Sequence, residues 1–425
     1  MTSVGIIGAG LSGLACASRL LDCSDINVRI FEADRDVGGL AGYTVLDDLR
    51  IAKTYHHVVK SDRIIQDELN RFEIPIIWKE VNIGVCIDSK VHPFNRPLDL
   101  LGFDPLPLLD RLRLGWLVFR AKYEPRLKNI TADDWVDSRA GERVLAHFVK
   151  PLLTKYFGSS KDVSAAYLAS RWNKESKSAS RNLGYSNFPK LIDRYVEQIT
   201  SSNNGMLYTR CRVQRAVVRD RGVRICVNTK QEDLDLVVIS TPAGEAASII
   251  EGAPTDLLNQ LGSIEYRACL CLVLRLERKI SDYYWINVLD DDIPFVACFE
   301  FANLDKTLGG GLVYLVAYTD AFSPFWFLRD EEIYERFVGG LKKIFPTLPK
   351  IRTWYLFRSR FGSPIYKTGY RSVGVNPYPR IYFAGIWMAF PEIRASGPAI
   401  MTGIEVAQKI LEQVEYGDRT DVINS

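Results

Sequence analysis

Apolar positions in the first forty residues form two short unbroken runs with a helical pattern between them. Val4-Gly5-Ile6-Ile7 reads as a buried parallel strand, because no polar residue interrupts it. It leads into Gly8-Ala9-Gly10-Leu11-Ser12-Gly13, after which Leu14 to Leu21 repeats apolar residues at helical spacing. A second run, Val28-Arg29-Ile30-Phe31, ends in Glu32-Ala33. The predicted order is strand, glycine turn, helix, strand and acid.

Further along, Ser61 to Phe72 predicts a helix capped by Ser61, with Ile64, Ile65, Leu69 and Phe72 on one side. Short strands are expected at Ile76–Trp78 and Gly84–Ile87, and a hairpin turn at Ser89-Lys90. Leu98 to Leu117 is dense in leucine, broken by Pro105 and Pro107, with Arg111, Arg113, Arg120 and Lys122 close by. Two readings stand: helices forming the core of a second lobe, or helices lying in a membrane interface. Thr131 to Trp135 is a helix start with Thr131 as N-cap, and Gly141 to Tyr156 continues helically to a break expected at Pro151. An amphipathic helix over Leu191–Ile199 precedes strands at Gly205–Tyr208, Arg212–Val218, Val223–Val227 and Leu234–Ile239. Long strands follow at Tyr266–Arg275 and Gly311–Tyr318, then a helix over Glu331–Ile344 and a strand at Trp354–Arg360. Tyr283, Tyr284, Trp285, Phe295, Phe299, Phe301, Tyr314 and Phe325 make this part aromatic, as either a sheet core or the roof over a flat ligand.

The length of 425 residues accommodates two domains with cores of their own. A hydrophobic content of 47% and a charged content of 25% are those of a soluble globular protein. A net charge of +3 gives no reason to expect a nucleic-acid partner. The eight cysteines include no C-x-x-C pair; Cys269 and Cys271 share one strand face. Buried thiols in a reducing cytoplasm are the expectation, with neither a disulfide framework nor a metal site. Met1 leads almost directly into the first strand, which leaves no room for a signal peptide, and no apolar run is long enough to span a bilayer.

The opening unit carries chemistry. Gly8 permits the tight turn, Gly10 lets the backbone approach a pyrophosphate, and Gly13 lets helix and strand pack closely. The helix start offers N–H groups and partial positive charge to phosphate. Glu32, 19 residues past Gly13, suits the ribose hydroxyls.

Gly38-Gly39 follows Glu32 after five residues. With the preceding turn, this Glu-(x5)-Gly-Gly continuation resembles the FAD-dependent family of amine oxidases, protoporphyrinogen oxidases and phytoene desaturases. The chain departs in Leu40, where many members carry Arg. Tyr55-His56-His57-Val58-Val59 is similar to the loop that passes the flavin ring in that family, and to a His-containing loop of UDP-galactopyranose mutases. Either His56 or His57 lies near the isoalloxazine or substrate, or both are hydrogen-bonded structural residues. Pro379 to Gly385 and Ala395 to Ala407 resemble the C-terminal cofactor motif, a strand ending in Phe-Ala-Gly and then a helix entered through small residues. Ile386-Trp387 stands where many relatives have an acid.

The resemblance implies an α/β fold with two lobes. A Rossmann-like FAD-binding domain is expected from residues 1–80, 200–262 and 372–418, a substrate domain of mixed sheet and helices from 81–199 and 263–371, and a tail over 419–425. It implies cofactor contacts at Gly8, Gly10, Leu11, Ser12, Gly13, Glu32, Ala33, Gly38, Gly39 and Leu40. His56, His57, Val213, Thr241, Gly385, Ile386, Ala399 and Ile400 complete the set. The FAD is expected to be non-covalent, since no flavinylation motif is present. His57, Tyr366 and Trp387 are the candidate catalytic residues, from their position relative to the cofactor motifs. Tyr156 and Trp172 are candidates to line the pocket or to pack the core. The implied activity is oxidation of a partly apolar small molecule by a monomer or homodimer, with peripheral membrane contact as an option. A non-redox flavin isomerase acting on a sugar nucleotide and a non-catalytic flavin scaffold are the alternatives. No counterpart to the mutases' arginine and tyrosine set stands out in the sequence.

Overall fold

A computed structural model gives the fold and describes residues 1–121, 126–178, 182–392 and 394–423. Lys122 and the last two residues lie outside the described residues. The apolar runs at both ends and in the middle of the chain meet in one five-stranded parallel sheet. Its order is Ile381–Phe383, Leu236–Ile239, Thr2–Ile7, Ile26–Phe31 and Gly205–Tyr208. Val4, Ile6, Val28, Ile30, Val237, Val238 and Ile239 are fully buried, as strands covered on both faces require. Helices Leu11–Leu20, Phe188–Ser201 and Ser396–Ile423 pack on one face, the last running through most of the segment expected as a tail.

The second lobe is a seven-stranded sheet ordered Ile351–Pro364, Tyr266–Leu276, Gly311–Thr319, Ala297–Glu300, Tyr283–Val288, Asn82–Ile87 and Lys90–Pro93. Its side chains alternate. Cys269, Cys271 and Val273 face a core shared with the helices of residues 97–178, whereas Leu270, Leu272 and Leu274 face helix Asp330–Ile344. The aromatic residues divide accordingly. Tyr284, Trp285, Phe299, Phe301 and Tyr314 lie on the first face, and Phe295 and Phe325 pack with Phe337 on the other.

Several local expectations change. Asp62, not Ser61, caps helix Arg63–Arg71, accepting the Ile65 amide at 3.4 Å. The hairpin turn is Asp88-Ser89, both at positive φ. Pro151 does not break its helix. It stands in the first turn of Lys150–Phe157, where its missing N–H costs nothing, and a π-helical turn at Leu145–Val149 joins it to Glu142–Val144. The Thr131 cap holds, with its Oγ1 accepting the Asp134 amide at 3.0 Å. The leucine-rich segment becomes helices Pro97–Leu101 and Leu108–Ala121. Leu114 and Leu117 enter the core, but Leu98, Leu101, Leu108, Leu109, Leu112, Trp116 and Phe119 are exposed.

Candidate active site

The parallel strands deliver their loops to one edge. Ile7 runs into Gly8, Phe31 into Glu32, Ile239 into Ser240-Thr241, and Phe383 into Ala384-Gly385. Ligands of open parallel sheets bind at the carboxyl ends of the strands. Gly8 holds φ at +103°, and its amide donates to the Phe31 carbonyl at 2.9 Å. Gly13 lies so close beneath the turn that a β-carbon there would sit 2.1 Å from the Gly8 carbonyl oxygen. Gly10 differs, for a β-carbon on it would meet nothing within 4 Å. Across from it stands Gly39, and Gly38 donates its amide to the Ala9 carbonyl at 2.8 Å. Glu32 is held above the turn, with Oε2 accepting the Ala9 amide at 2.7 Å and Oε1 the Asp34 amide at 2.9 Å.

The start of helix Ser396–Ile423 lies beside the start of helix Leu11–Leu20. Ser12 Oγ and Thr402 Oγ1 both donate to the Ala399 carbonyl at 2.8 Å, and Thr402 Oγ1 accepts the Gly385 amide at 3.0 Å. Asp62 caps helix Arg63–Arg71 through the Ile65 amide, and its carboxylate also lies against Gly397, where a β-carbon would sit 2.0 Å from Oδ1.

These features fit a dinucleotide cofactor. A backbone groove opens at Gly10 and Gly39, and the first helix begins without a side-chain cap, leaving N–H groups for a phosphate. Thr241 Oγ1 is buried without a hydrogen-bond partner among the described residues, and the Thr241 methyl lies 3.4 Å from where a Gly8 β-carbon would stand. Val213 packs its side chain with Ile7, Phe31 and Ile239, and Ile400 packs with Leu14 and Val406; each offers the edge its backbone alone. Leu40 uses its carbonyl to accept Thr54 Oγ1 at 2.8 Å. Ala33, Ile386 and Ala399 keep partial exposure, whereas Leu11 and Ser12 are buried.

The two histidines separate in role. His56 has both ring nitrogens engaged, Nε2 with Thr54 Oγ1 at 3.2 Å and Nδ1 with Ser396 Oγ at 3.1 Å, and its ring stacks on Phe188 at 4.7 Å. It ties the Leu40–Thr54 region to the last helix. His57 bonds Tyr284 Oη through Nδ1 at 3.1 Å, and Nε2 has no hydrogen-bond partner among the described residues. Tyr55, stacked on Phe299 at 3.9 Å, and Trp285, 5.6 Å from the His57 ring, continue an aromatic wall on the second sheet. Burial pushes both imidazoles down to about 4, with the neighbouring His56 charge adding to the effect on His57, so both rings are neutral at pH 7. Burial raises the Tyr284 hydroxyl well above its ordinary value.

Tyr366 and Trp387 are 1% exposed and spend their polar atoms on backbone. Tyr366 Oη donates to the Ile386 carbonyl at 2.5 Å and Trp387 Nε1 to the Thr241 carbonyl at 3.1 Å. They hold the turn after Gly385. Tyr156 stacks on Tyr318 at 5.5 Å, and Trp172 packs on Trp135 at 5.6 Å. Asp62, Tyr55 and Arg394, now evident at the site, carried no motif; their one signal was adjacency to residues that did.

The sequence matches the family described as "Flavin containing amine oxidoreductase" over residues 11–411. The chain belongs to the flavin-containing amine oxidoreductases. Its cofactor is therefore FAD and the protein is an enzyme, an FAD-dependent oxidoreductase. Solved structures share the fold. A protoporphyrinogen-oxidase-like protein from Exiguobacterium sp. 255-15 superposes with a TM-score of 0.78 at 15% identity, over 96% of this chain and 98% of its own. Reduced UDP-galactopyranose mutase gives 0.77 at 14% identity, covering 97% and 96%. Putrescine oxidase with bound putrescine gives 0.75 at 13% identity, covering 97% and 99%. A search of curated proteins found no match. Among the described residues of this oxidoreductase, no helix is long and apolar enough to cross a membrane.

Proposed function

We propose that the enzyme oxidises a partly apolar small molecule held against Tyr55 and His57, which the buried Trp285 and Phe299 back, with FAD bound non-covalently between the first glycine turn and the last helix. The observation that carries this reading is the neutral His57, fixed through Nδ1 by Tyr284 and retaining Nε2 for a substrate. Bound FAD supplies the two-electron redox chemistry. The chain's residues bind and orient: the glycine turn and Glu32 hold the nucleotide, the aromatic wall keeps water from one side, and His57 Nε2 accepts a proton or hydrogen bond. Engagement of both His56 nitrogens supports non-covalent attachment, and acid precipitation that leaves yellow cofactor on the protein would overturn it.

Anaerobic mixing with a panel of amines and activated cyclic substrates tests the reading. Bleaching of the flavin band is expected. Turnover only after prior reduction, with no net electron change, would assign the isomerase reading instead. His57→Ala is expected to slow bleaching about 10²- to 10⁴-fold if Nε2 moves the proton, with FAD retained.

We also infer peripheral contact with a bilayer through the outward face of helices Pro97–Leu101 and Leu108–Ala121. Leu109 is 69% exposed, and Trp116, 62% exposed, stacks on Phe119 at 5.7 Å, a pairing suited to the lipid–water boundary. Co-sedimentation with lipid vesicles is the measurement, and a concentration-dependent dimer without vesicle binding would refute it.

A further inference from the structure

Arg394 lies two residues before Ser396, the partner of His56, in the loop that leads into the last helix. Its guanidinium sits 4.2 Å over the ring of Tyr318, and Nη1 donates to the Gly362 carbonyl at 3.3 Å. The groups that bear on its charge are Tyr318, Tyr55, Tyr167 and Cys269; no carboxylate is paired with it among the described residues. A guanidinium has five N–H donors, and among the described residues one of them has an acceptor. Arg394 is half-buried, and a partly desolvated cation without a counter-charge is costly, so natural proteins pair it.

Two further guanidinium groups stand nearby. Tyr318 stacks on Tyr156, and Arg171, 8% exposed, lies 4.5 Å over the opposite partner of that stack, with Nη2 donating to Tyr156 Oη at 3.4 Å. Arg267 donates to the Tyr318 carbonyl at 3.4 Å, and its buried Nε has no partner among the described residues. Tyr55, close enough to Arg394 for the guanidinium to favour its ionised form, stands beside His57, so this basic, tyrosine-lined cluster is continuous with the wall assigned above to the substrate.

We propose that Arg394, with Tyr318 and Tyr55, forms a subsite for an oxyanion on the substrate, a carboxylate or a phosphoryl group, whose apolar body lies against the His57 wall. The inference rests on the proposed function for the location of the substrate, and narrows it to anionic molecules. It separates this enzyme from one that takes a simple cationic amine, because an ammonium group would meet a second cation at Arg394.

The test titrates FAD-loaded protein with benzoate, benzamide, benzylamine and inorganic pyrophosphate, following flavin absorbance changes and heat of binding. Benzoate or pyrophosphate is expected to bind, and which of the two binds distinguishes carboxylate from phosphoryl. Benzamide, the same body without the charge, is expected to bind about 10- to 100-fold more weakly than benzoate, the range of a charge-assisted hydrogen bond. Arg394→Gln is expected to remove that preference and Arg394→Lys to restore part of it, with FAD content unchanged. The wild-type benzoate-to-benzamide ratio reads the same subsite even where the variants do not fold. Equal binding of the pair, tighter binding of benzylamine, or no binding of either anion overturns the proposal. Arg394-dependent anion binding without substrate bleaching would leave the subsite standing and refute the redox reading; bleaching by a cationic amine would do the reverse.

Discussion

Gly10 and Gly13 stand three residues apart and are glycine for different reasons. At Gly13 a side chain would collide with the Gly8 carbonyl, so the requirement is packing. At Gly10 the φ of −75° suits any residue and the space is open, so the requirement is the groove itself. Gly10→Val is therefore expected to leave the apoprotein's thermal unfolding nearly unchanged while abolishing FAD retention, as read by absorbance after desalting. A large loss of apoprotein stability would contradict the open groove. His57 adds a pH dependence of definite sign. Its folded pKa of about 4 lies below the ordinary value of about 6.5, so the unfolded chain binds the proton more readily. The stability from its burial is complete above pH 6.5 and is lost as pH falls toward 4. The difference in unfolding free energy between wild type and His57→Asn should narrow across that window; a constant difference would show that the ring does not titrate as buried.

At the scale of elements, the sequence located strands well because a strand buried on both faces leaves an unbroken apolar run. It placed caps less well. Ser61 and Asp62 are both good N-cap residues, and the choice of Asp62 follows from a second helix start, at Gly397, brought within reach of the same carboxylate. Asp62→Ala should cost about 1–2 kcal/mol, the range for a lost cap, and weaken FAD binding because the last helix loses part of its anchor. Denaturant unfolding and flavin titration measure the two effects; loss of stability with unchanged FAD affinity would separate the cap from the cofactor edge. Pro151 was misleading for a related reason, since a proline breaks a helix interior but starts a new one once a π turn has released the preceding residues.

At the scale of the whole molecule, the leucine-rich segment shows how far a pattern reaches. Its helices carry apolar residues on two faces, and the sequence does not say that only one face is covered. Leu114 and Leu117 are buried, whereas Leu109 and Trp116 face outward. Trp116→Ala combined with Phe119→Ala is expected to reduce vesicle co-sedimentation about tenfold or more, since each buried aromatic contributes roughly 1.5–3 kcal/mol, without changing FAD content. Undiminished binding would move the contact elsewhere on the surface.

By itself the sequence determined the edge at which the parallel strands deliver their loops. The glycine spacing, Glu32, the Gly38-Gly39 pair and the Phe-Ala-Gly strand are local devices, each confined to a few consecutive residues, and a local device can be read from a local pattern. The tertiary structure alone decided which side chains gather around His57. Tyr55, Trp285, Tyr318 and Arg394 come from the cofactor lobe, two sheet strands and the loop before the last helix, and no spacing links them. Their convergence follows from which face each strand turns inward and from a guanidinium laid over the Tyr318 ring, properties that exist only once the two sheets have packed.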